Sequence, residues 1–160
     1  MALRTILTQE DDTLRKTARA VVNFDSRLHT LLDDLAETLL NAEGVGLAAT
    51  QVGVLRRVAV VDAGEEKPIE LVNPEIIHAE GEQEGPEGCL SVPGLYGLVK
   101  RPMTVVVRAQ DRYGVPFERT GEALLARAFC HEVDHLDGRL FTVLASRFLD
   151  PKKDKAAFKN

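Results

Sequence analysis

The stretch ALLARAFCHEVDHL, residues 123–136, decides how the remainder of the chain can be arranged. Leu124, Ala128, His131 and His135 recur in it at steps of three and four residues, the spacing of one face of an α-helix. Because the histidines share this face with apolar residues, we expect the face to point into the protein interior. The stretch therefore predicts a central helix around which the other elements pack.

The limits of this helix are predicted from its flanking residues. We expect the helix to begin at Gly121 or Thr120, and Gly138 is placed to end it, since glycine commonly follows the last turn of a helix.

Within the helix, HEVDH at residues 131–135 matches the HExxH pattern of metal-dependent hydrolases. Residues four apart project from nearly the same side of a helix, so His131 and His135 can converge on one metal ion. Glu132 flanks that face and can reach a water bound to the ion. The alternative is a pair of structural histidines, each satisfied by a hydrogen bond, and the complete pattern favours the metal.

A second amphipathic helix is predicted near the N-terminus, over FDSRLHTLLDDLAETLLNAEG at residues 24–44. Its leucines recur at three- and four-residue steps. Asp25 or Ser26 is a suitable N-cap, and Gly44 is placed to stop the helix.

Short strands are predicted between the two helices. The segments are rich in Val and Ile and are separated by Gly, Pro and Asp. DRYG, residues 111–114, is predicted to form a hairpin turn. The predicted strands are RRVAVVD (56–62), IELVNP (69–74), EIIHA (75–79), MTVVVRAQ (103–110) and VPFERT (115–120). Residues 80–102, dense in Gly, Glu and Pro, are predicted as a long loop, a feature that is usually functional or disordered.

The predicted fold class is therefore α+β, with small antiparallel strands packed around the HExxH-bearing helix and an N-terminal amphipathic helix. A length of 160 residues fits a single domain over residues 1–160. A net charge of −5 argues against a nucleic-acid surface, and no apolar run is long enough to span a membrane. Residues 1–12 resemble neither a signal nor a transit peptide, so we expect a cytoplasmic protein.

The identity of a third metal ligand is open on spacing alone. The common extension of HExxH would need a histidine at position 141, which is Phe141. No glutamate follows Glu132, and Asp150 is the only moderately placed acid downstream. Cys130 is expected to point away from the ion, which leaves Cys89 in EGCLS as the leading candidate, since a thiolate binds Zn²⁺ or Fe²⁺ strongly.

The segment GVGLAATQ, residues 44–51, is unusually rich in small residues. Its residues match the G-x-G-x-x-A motif of dinucleotide-binding proteins. That motif follows a strand, however, and here a helix is predicted before it. The alternatives are a helix end followed by a tight turn, or a backbone that another group approaches closely. Gln51 could direct an amide N–H at a developing oxyanion.

Three segments now stand in one order: GVGLAATQ (44–51), EGCLS (87–91) and HEVDH (131–135). This resembles the peptide deformylase family, whose motifs are G-φ-G-φ-A-A-x-Q, E-G-C-φ-S and, usually, Q-H-E-x-D-H. The likeness covers essentially the whole chain, which would make residues 1–160 a single deformylase-like catalytic domain. It implies a metal-dependent hydrolase that removes the formyl group from the N-terminal formylmethionine of new polypeptides and releases formate.

The resemblance also implies roles for individual residues. The metal ligands would be Cys89, His131 and His135. A metal-bound water would attack the formyl carbonyl, with Glu132 as general base and then general acid. Gln51 and the backbone N–H of Leu90 would hold the oxyanion. The implied substrate-binding residues are Val45, Gly46, Glu87, Gly88, Leu124 and Ala128, with Glu87 and Arg101 also supporting the loop.

The chain departs from the family pattern at a few positions. Cys130 replaces the usual Gln before the first histidine. Arg127 stands where an apolar pocket residue is expected, and Tyr96 and Gly97 occupy a region that often carries a substrate-contacting Arg. These departures bear on substrate preference rather than on the reaction.

The implied cofactor is one divalent metal ion, with Fe²⁺ favoured and Zn²⁺, Ni²⁺ or Co²⁺ also suited to the ligands. The implied partners are formyl-Met nascent polypeptides, and a transient association with the ribosome is compatible with the resemblance. Two other functions stay open. One is a different HExxH peptidase with Asp150 as third ligand, and the other is a non-catalytic peptide-binding relative.

Overall fold

Two α-helices and eight strands make up the fold of residues 2–158, the part of the chain that the computed structural model describes. Residues 1, 159 and 160, which the predicted domain includes, lie outside this part. The helices are α1 (Ser26–Ala42) and α2 (Leu124–Leu136). The strands are β1 (Gly46–Ala48), β2 (Val58–Val61), β3 (Ile69–Glu80), β4 (Gln83–Cys89), β5 (Val92–Arg101), β6 (Thr104–Gln110), β7 (Pro116–Glu122) and β8 (Arg147–Leu149).

The strands form two antiparallel sheets. Five of them lie in the order β1-β2-β3-β6-β7, and the other three lie in the order β4-β5-β8. Helix α2 contacts strands of both sheets, so it occupies the centre of the molecule. The predicted α+β fold, with antiparallel strands around the HExxH-bearing helix, is confirmed.

Strand β2 is buried on both faces because each face packs against a different helix. Side chains alternate along a strand, so Val58 and Val60 point to the face covered by α1. Val61 points to the opposite face, where it packs with Ala126 and Phe129 of α2. The sheet thus separates the two helices.

Helix α1 begins as its sequence predicts, with the Asp25 side chain accepting a hydrogen bond from the Leu28 backbone N–H at 3.1 Å. Five leucines of its inner face are almost fully buried, and each contributes about 1.5–3 kcal/mol of transfer free energy. The helix ends one residue earlier than predicted, because the left-handed residue is Glu43 (φ 56°) rather than Gly44.

The predicted start of the central helix is wrong. Thr120 and Gly121 belong to β7, where Gly121 pairs with Val105 of β6. A Cβ at position 121 would lie 2.8 Å from the ring of Phe129, so Gly121 lets the helix pack closely on the strand. Ala123, with φ 54°, turns the chain into α2, and Gly138 (φ 78°) ends the helix as predicted.

The predicted long loop over residues 80–102 is also wrong. Most of it is the hairpin of β4 and β5, whose register runs from the pair Gln83–Arg101 to the pair Cys89–Val92. Its strands contain four glycines and two prolines and show no regular alternation of buried and exposed residues, so they lack the Val/Ile-rich pattern of a strand. The backbone pairing and the contacts of the hairpin with α2 supply the order that composition does not indicate.

Two smaller differences concern the larger sheet. The predicted strands 69–74 and 75–79 are one strand, β3, with irregularities of register against β6 near Asn73 and Ile77. The predicted turn at 111–114 is confirmed, since Gly114 donates its N–H to the Asp111 carbonyl at 3.0 Å. No helix between residues 2 and 158 is long and apolar enough to cross a membrane.

Candidate metal centre

The two histidines of HEVDH lie on the buried face of α2, as the spacing predicts. Nε2 of His131 lies 3.1 Å from Nε2 of His135, and both rings are shielded from solvent. Their shared face results from the i, i+4 spacing on one helix. Two ring nitrogens this close can bind the same ion.

Cys89 reaches the histidines from the hairpin of the smaller sheet. It is the last residue of β4, directly before the two-residue turn at 90–91, and its Sγ lies 3.2 Å from Nε2 of His135. The ligand atoms of Cys89, His131 and His135 all lie within 4.8 Å of one another. Among residues 2–158 these three form the group of potential ligands close enough to share an ion.

The donor set and its spacing fit a transition metal. With metal–ligand bonds of about 2.0–2.3 Å, ligand atoms of a tetrahedral site lie about 3.3–3.7 Å apart. Nε2 of His135 lies at the similar distances of 3.2 Å from Cys89 Sγ and 3.1 Å from Nε2 of His131. One thiolate and two imidazoles suit Fe²⁺, Zn²⁺, Ni²⁺ and Co²⁺. Three protein ligands leave a fourth position for water or substrate, which is the arrangement of catalytic rather than structural sites.

Glu132 lies beside this group with its carboxyl buried. A Cβ at position 46 would lie 2.5 Å from Glu132 Oε2, so Gly46 of β1 leaves the room that the carboxyl occupies. This confirms that a group passes close to the small-residue segment. Within residues 2–158, Oε1 of Glu132 has no hydrogen-bond partner. Burial raises the pKa of Glu132 to about 7.

Gln51 is held with its amide N–H groups toward the cysteine. Its Oε1 accepts a hydrogen bond from the Ala48 backbone N–H at 2.9 Å, which fixes the orientation of the amide. Its Nε2 lies 3.1 Å from Ser91 Oγ and 3.4 Å from Cys89 Sγ. Leu90, the other predicted oxyanion donor, lies in the turn that follows Cys89.

Glu87 orients His131 from behind. Its Oε1 accepts a hydrogen bond from Nδ1 of His131 at 2.8 Å, and Arg101 binds both carboxylate oxygens at 2.8 Å. Arg127 adds a bond to Oε2 at 2.6 Å. Burial opposes ionisation, but the bonds from Arg101 and His131 hold the pKa of Glu87 well below its ordinary value.

A cavity of about 530 Å³ opens onto the ligand group. Its walls include Cys89, His131 and Glu132, while Gln51 and His135 are fully buried behind them. The predicted substrate-binding residues also line it: Val45, Gly46, Glu87, Gly88, Leu124 and Ala128. The carboxylate of Glu87, however, is fully engaged by its three partners, so its contacts are those of a support for His131.

The other two candidates for the third ligand, and the two histidines outside HEVDH, lie apart from the group. Asp150 is exposed and its Oδ1 accepts a hydrogen bond from the Lys152 backbone. His29 is bonded to the Arg112 carbonyl, and His78 is exposed beside Glu80. Cys130 packs in the apolar cluster between α2 and the larger sheet, where burial raises its pKa to about 11.

Two residues of the site were missed from the sequence. Ser91 contacts the amide of Gln51 and donates its backbone N–H to Cys89 Sγ at 3.4 Å. Its place two residues after Cys89 was the available signal. Arg127 lines the cavity and binds Glu87, although the sequence alone suggested only a misplaced charge in an apolar pocket.

Known proteins resemble the chain over nearly its full length. The family model described as polypeptide deformylase matches residues 3–149. Peptide deformylase of Caldicellulosiruptor bescii is 56% identical over 153 residues, which cover 96% of this chain and 92% of that protein.

Solved structures agree in fold. The crystal structure of a peptide deformylase from Legionella pneumophila has a TM-score of 0.87 and 48% identity, over 97% of this chain and 90% of that one. The structure of peptide deformylase from Thermotoga maritima has a TM-score of 0.87 and 36% identity, over 90% of this chain and 98% of that one. The chain therefore belongs to the polypeptide deformylase family.

Proposed function

We propose that this chain removes the formyl group from the N-terminal formylmethionine of newly made polypeptides, with Glu132 as the general base and Cys89, His131 and His135 as metal ligands. Membership of the family makes the chain an enzyme that hydrolyses N-terminal formyl groups. The observation that carries the assignment of residues is the meeting of three ligand atoms within 4.8 Å beside a buried carboxyl group. Residues 1–160 would act as one catalytic domain.

Cys89, His131 and His135 would hold one divalent ion. The family is metal-dependent, and the short distances among the three ligand atoms support this set. We propose Fe²⁺ as the native ion, while the same ligands also suit Zn²⁺, Ni²⁺ and Co²⁺. When bound, such an ion would supply Lewis acidity and would lower the pKa of a coordinated water to about 7.

Glu132 would move the proton of the reaction. Its buried Oε1, without a hydrogen-bond partner among residues 2–158, is free to accept a proton from the attacking water. The same carboxyl would then return a proton to the leaving amine. Water and the formamide are thereby converted to formate and a free N-terminal amine.

Gln51 Nε2 and the backbone N–H of Leu90 would stabilise the oxyanion that develops on the formyl oxygen. The bond from Ala48 to Gln51 Oε1 supports this role, because it leaves the amide N–H groups facing the cysteine. Removal of one such donor typically slows an enzyme by about 10²–10³-fold.

The peptide would bind along the edge of the larger sheet. Strand β1 is an edge strand, and an extended peptide would pair with its outer side beside Val45 and Gly46. The Val45 carbonyl accepts a hydrogen bond from the Asp62 backbone N–H, so the backbone of Gly46 would make this pairing. The methionine side chain would enter the cavity past Gly88, Leu124 and Ala128, whose apolar surfaces suit it. Glu87 would support this wall rather than touch the substrate.

The chain would encounter formylated polypeptides at or near the ribosome. A formylated N-terminus belongs to a polypeptide at the start of its synthesis, so we propose action in the cytoplasm and a transient association with the ribosome.

The test is formate release from a short formyl-Met peptide, measured on protein whose bound metal has been counted. Glu132→Gln should lower the rate by about 10²–10⁴-fold with the metal retained. Cys89→Ala should lose the metal, whereas Cys130→Ala, the matched control at the second cysteine, should keep both metal and activity. Peptide binding without formate release by the metal-loaded protein would indicate a binding module. Full metal retention in Cys89→Ala would contradict the assignment of Cys89 as a metal ligand.

A further inference from the structure

Arg127 is a buried cation one helical turn before His131. Its side chain is 8% exposed, and its Nη1 lies 2.6 Å from Glu87 Oε2. The i, i+4 spacing places Arg127 and His131 on the same side of α2, where both reach one carboxylate. The polar network therefore ties Arg127 to the histidine through Glu87.

The two negative charges of Glu87 and Asp134 are matched by two positive charges only when Arg127 is counted together with Arg101. Arg101 binds Glu87, and its Nη1 also lies 2.6 Å from Asp134 Oδ2. One guanidinium group thus faces two carboxylates, and Arg127 supplies the second positive charge. A buried carboxylate that lacks a matching cation is strongly unfavourable, so without Arg127 the carboxylate of Glu87 would be drawn toward water.

The strands around Arg127 are shaped to hold its side chain. Its Nη1 also approaches the carbonyl oxygens of Val99 at 3.2 Å and Gly85 at 3.4 Å. A Cβ at position 85 would lie only 3.3 Å from Nη2 of Arg127, so a glycine in β4 leaves room for the guanidinium group. Arg127 therefore fastens α2, which carries both histidines, to the hairpin that carries Cys89.

We propose that Arg127 is a positioning residue that holds the Glu87 carboxylate against Nδ1 of His131 and thereby sets how tightly the metal is held. The inference rests on the proposed ligand role of Cys89, His131 and His135. A carboxylate that accepts the second N–H of a ligand histidine fixes the ring and raises its basicity. Loss of Arg127 leaves Glu87 with a single cation that Asp134 shares, and it frees the hairpin from the helix.

The test compares Arg127→Met and Arg127→Lys with the native chain, using Arg57→Met as the matched control. Arg57 binds the carbonyl of Leu136 at the other end of α2 and has no contact with Glu87. Zinc affinity is measured by competition with a chromophoric chelator, and the absorption spectrum of the Co²⁺-loaded protein reports the ligand geometry. We expect Arg127→Met to weaken zinc binding by about 10–100-fold and to alter the Co²⁺ spectrum.

The remaining variants separate positioning from general stability. Arg127→Lys should restore part of the affinity, and Arg57→Met should bind zinc as the native chain does. In a Glu87→Gln background, Arg127→Met should cost little further affinity, because the two residues act through one contact. An equal loss in that background would overturn the proposal, as would native zinc affinity in Arg127→Met.

Two further outcomes are informative. If Arg127→Met does not fold, Arg127→Lys decides, and native zinc affinity in that variant overturns the proposal. If the native chain itself binds no stoichiometric zinc, the proposed metal centre fails, and that result is distinct from failure of the role of Arg127.

Discussion

Helices α1 and α2 cover opposite faces of the same sheet, yet they bury surfaces of different kinds. The inner face of α1 is a row of leucines packed on Val58 and Val60. Its two buried polar residues, Asp34 and Thr38, accept hydrogen bonds from the N-terminal segment and take no part in the proposed centre. The inner face of α2 combines apolar residues with four buried polar or charged side chains, three of them at the proposed centre. The polar residues of α2 that are buried are Arg127, His131, Glu132 and His135, with Asp134 partly buried beside them.

This difference indicates that the two helices have different roles, α1 in stability and α2 in function. The leucines of α1 need only neighbours of suitable shape, because transfer of apolar surface from water is favourable in itself. The polar face of α2 needs partners of opposite charge, which strands β4 and β5 provide through Glu87 and Arg101. We therefore expect α1 to contribute most to the stability of the fold. We expect the buried polar residues of α2 to lower that stability while they form the site.

The largest expected effect is a cavity on the α1 side. Leu32→Ala should lower the free energy of unfolding by about 2–5 kcal/mol, since Leu32 is fully buried in the apolar cluster. Urea unfolding with and without zinc should give the same loss. The exposed Leu40→Ala on the same helix is the control, with a change within about 0.5 kcal/mol. A loss that depends on zinc would show that the two helices are not independent.

A smaller effect is expected from the buried acid of α2. The pKa of Glu132 is about 7 in the folded chain and 4.5 ordinarily, so the folded state binds its proton more tightly. Stability of the metal-free chain should therefore fall as pH rises from about 4.5 to about 7. Glu132→Gln cannot ionise, and we expect it to be more stable than the native metal-free chain at pH 8 by up to about 3 kcal/mol.

The same comparison has a clear control. The advantage of Glu132→Gln should disappear as pH falls toward 4.5, and it is measured by urea unfolding across the pH range. Glu122→Gln, at an exposed position of β7, should follow the native chain throughout. A constant advantage of Glu132→Gln at all pH values would rule out ionisation as its cause.

The smallest effect distinguishes how the two helices begin. Helix α1 has a side-chain cap, whereas α2 follows Ala123, which has φ 54° and no side-chain cap. Ala123→Gly should raise the free energy of unfolding by about 0.5–1 kcal/mol, because glycine adopts this conformation without strain. Ala36→Gly within α1 should lower it by about 1 kcal/mol. Both variants are compared with the native chain by thermal unfolding. Changes of the same sign in the free energy of unfolding would contradict this expectation.

The elements that depend on local pattern were predictable from the sequence. The leucine spacing of α1 and the Val-rich segments of β2 and β6 predict which residues are buried. The spacing within HEVDH predicts that its two histidines lie close together. The start of α2 was not predictable in this way. Gly121 is a strand residue because Phe129 packs on it, and that contact depends on the tertiary fold.

The part of the site that comes from β4 and β5 was the hardest to predict. Its strands contain four glycines and two prolines, so their composition suggested a loop. The sequence does not indicate which acidic residue pairs with Arg127, since Glu87 lies 40 residues away along the chain. Only the folded hairpin brings the two charges together. Cys89, in contrast, was the leading candidate once the other potential ligands had been set aside, and its motif resembles that of a known family.

The three-residue length of β1 also limits self-association. An open sheet edge can pair with the edge of another copy of the chain and so start aggregation. Strand β1 spans only about 10 Å, and it is bounded by the left-handed Glu43 before it and a 3₁₀ turn at Ala49–Val52 after it. The edge therefore offers few backbone donors and acceptors for two copies to join, while the proposed peptide, anchored in the cavity, would need only these few.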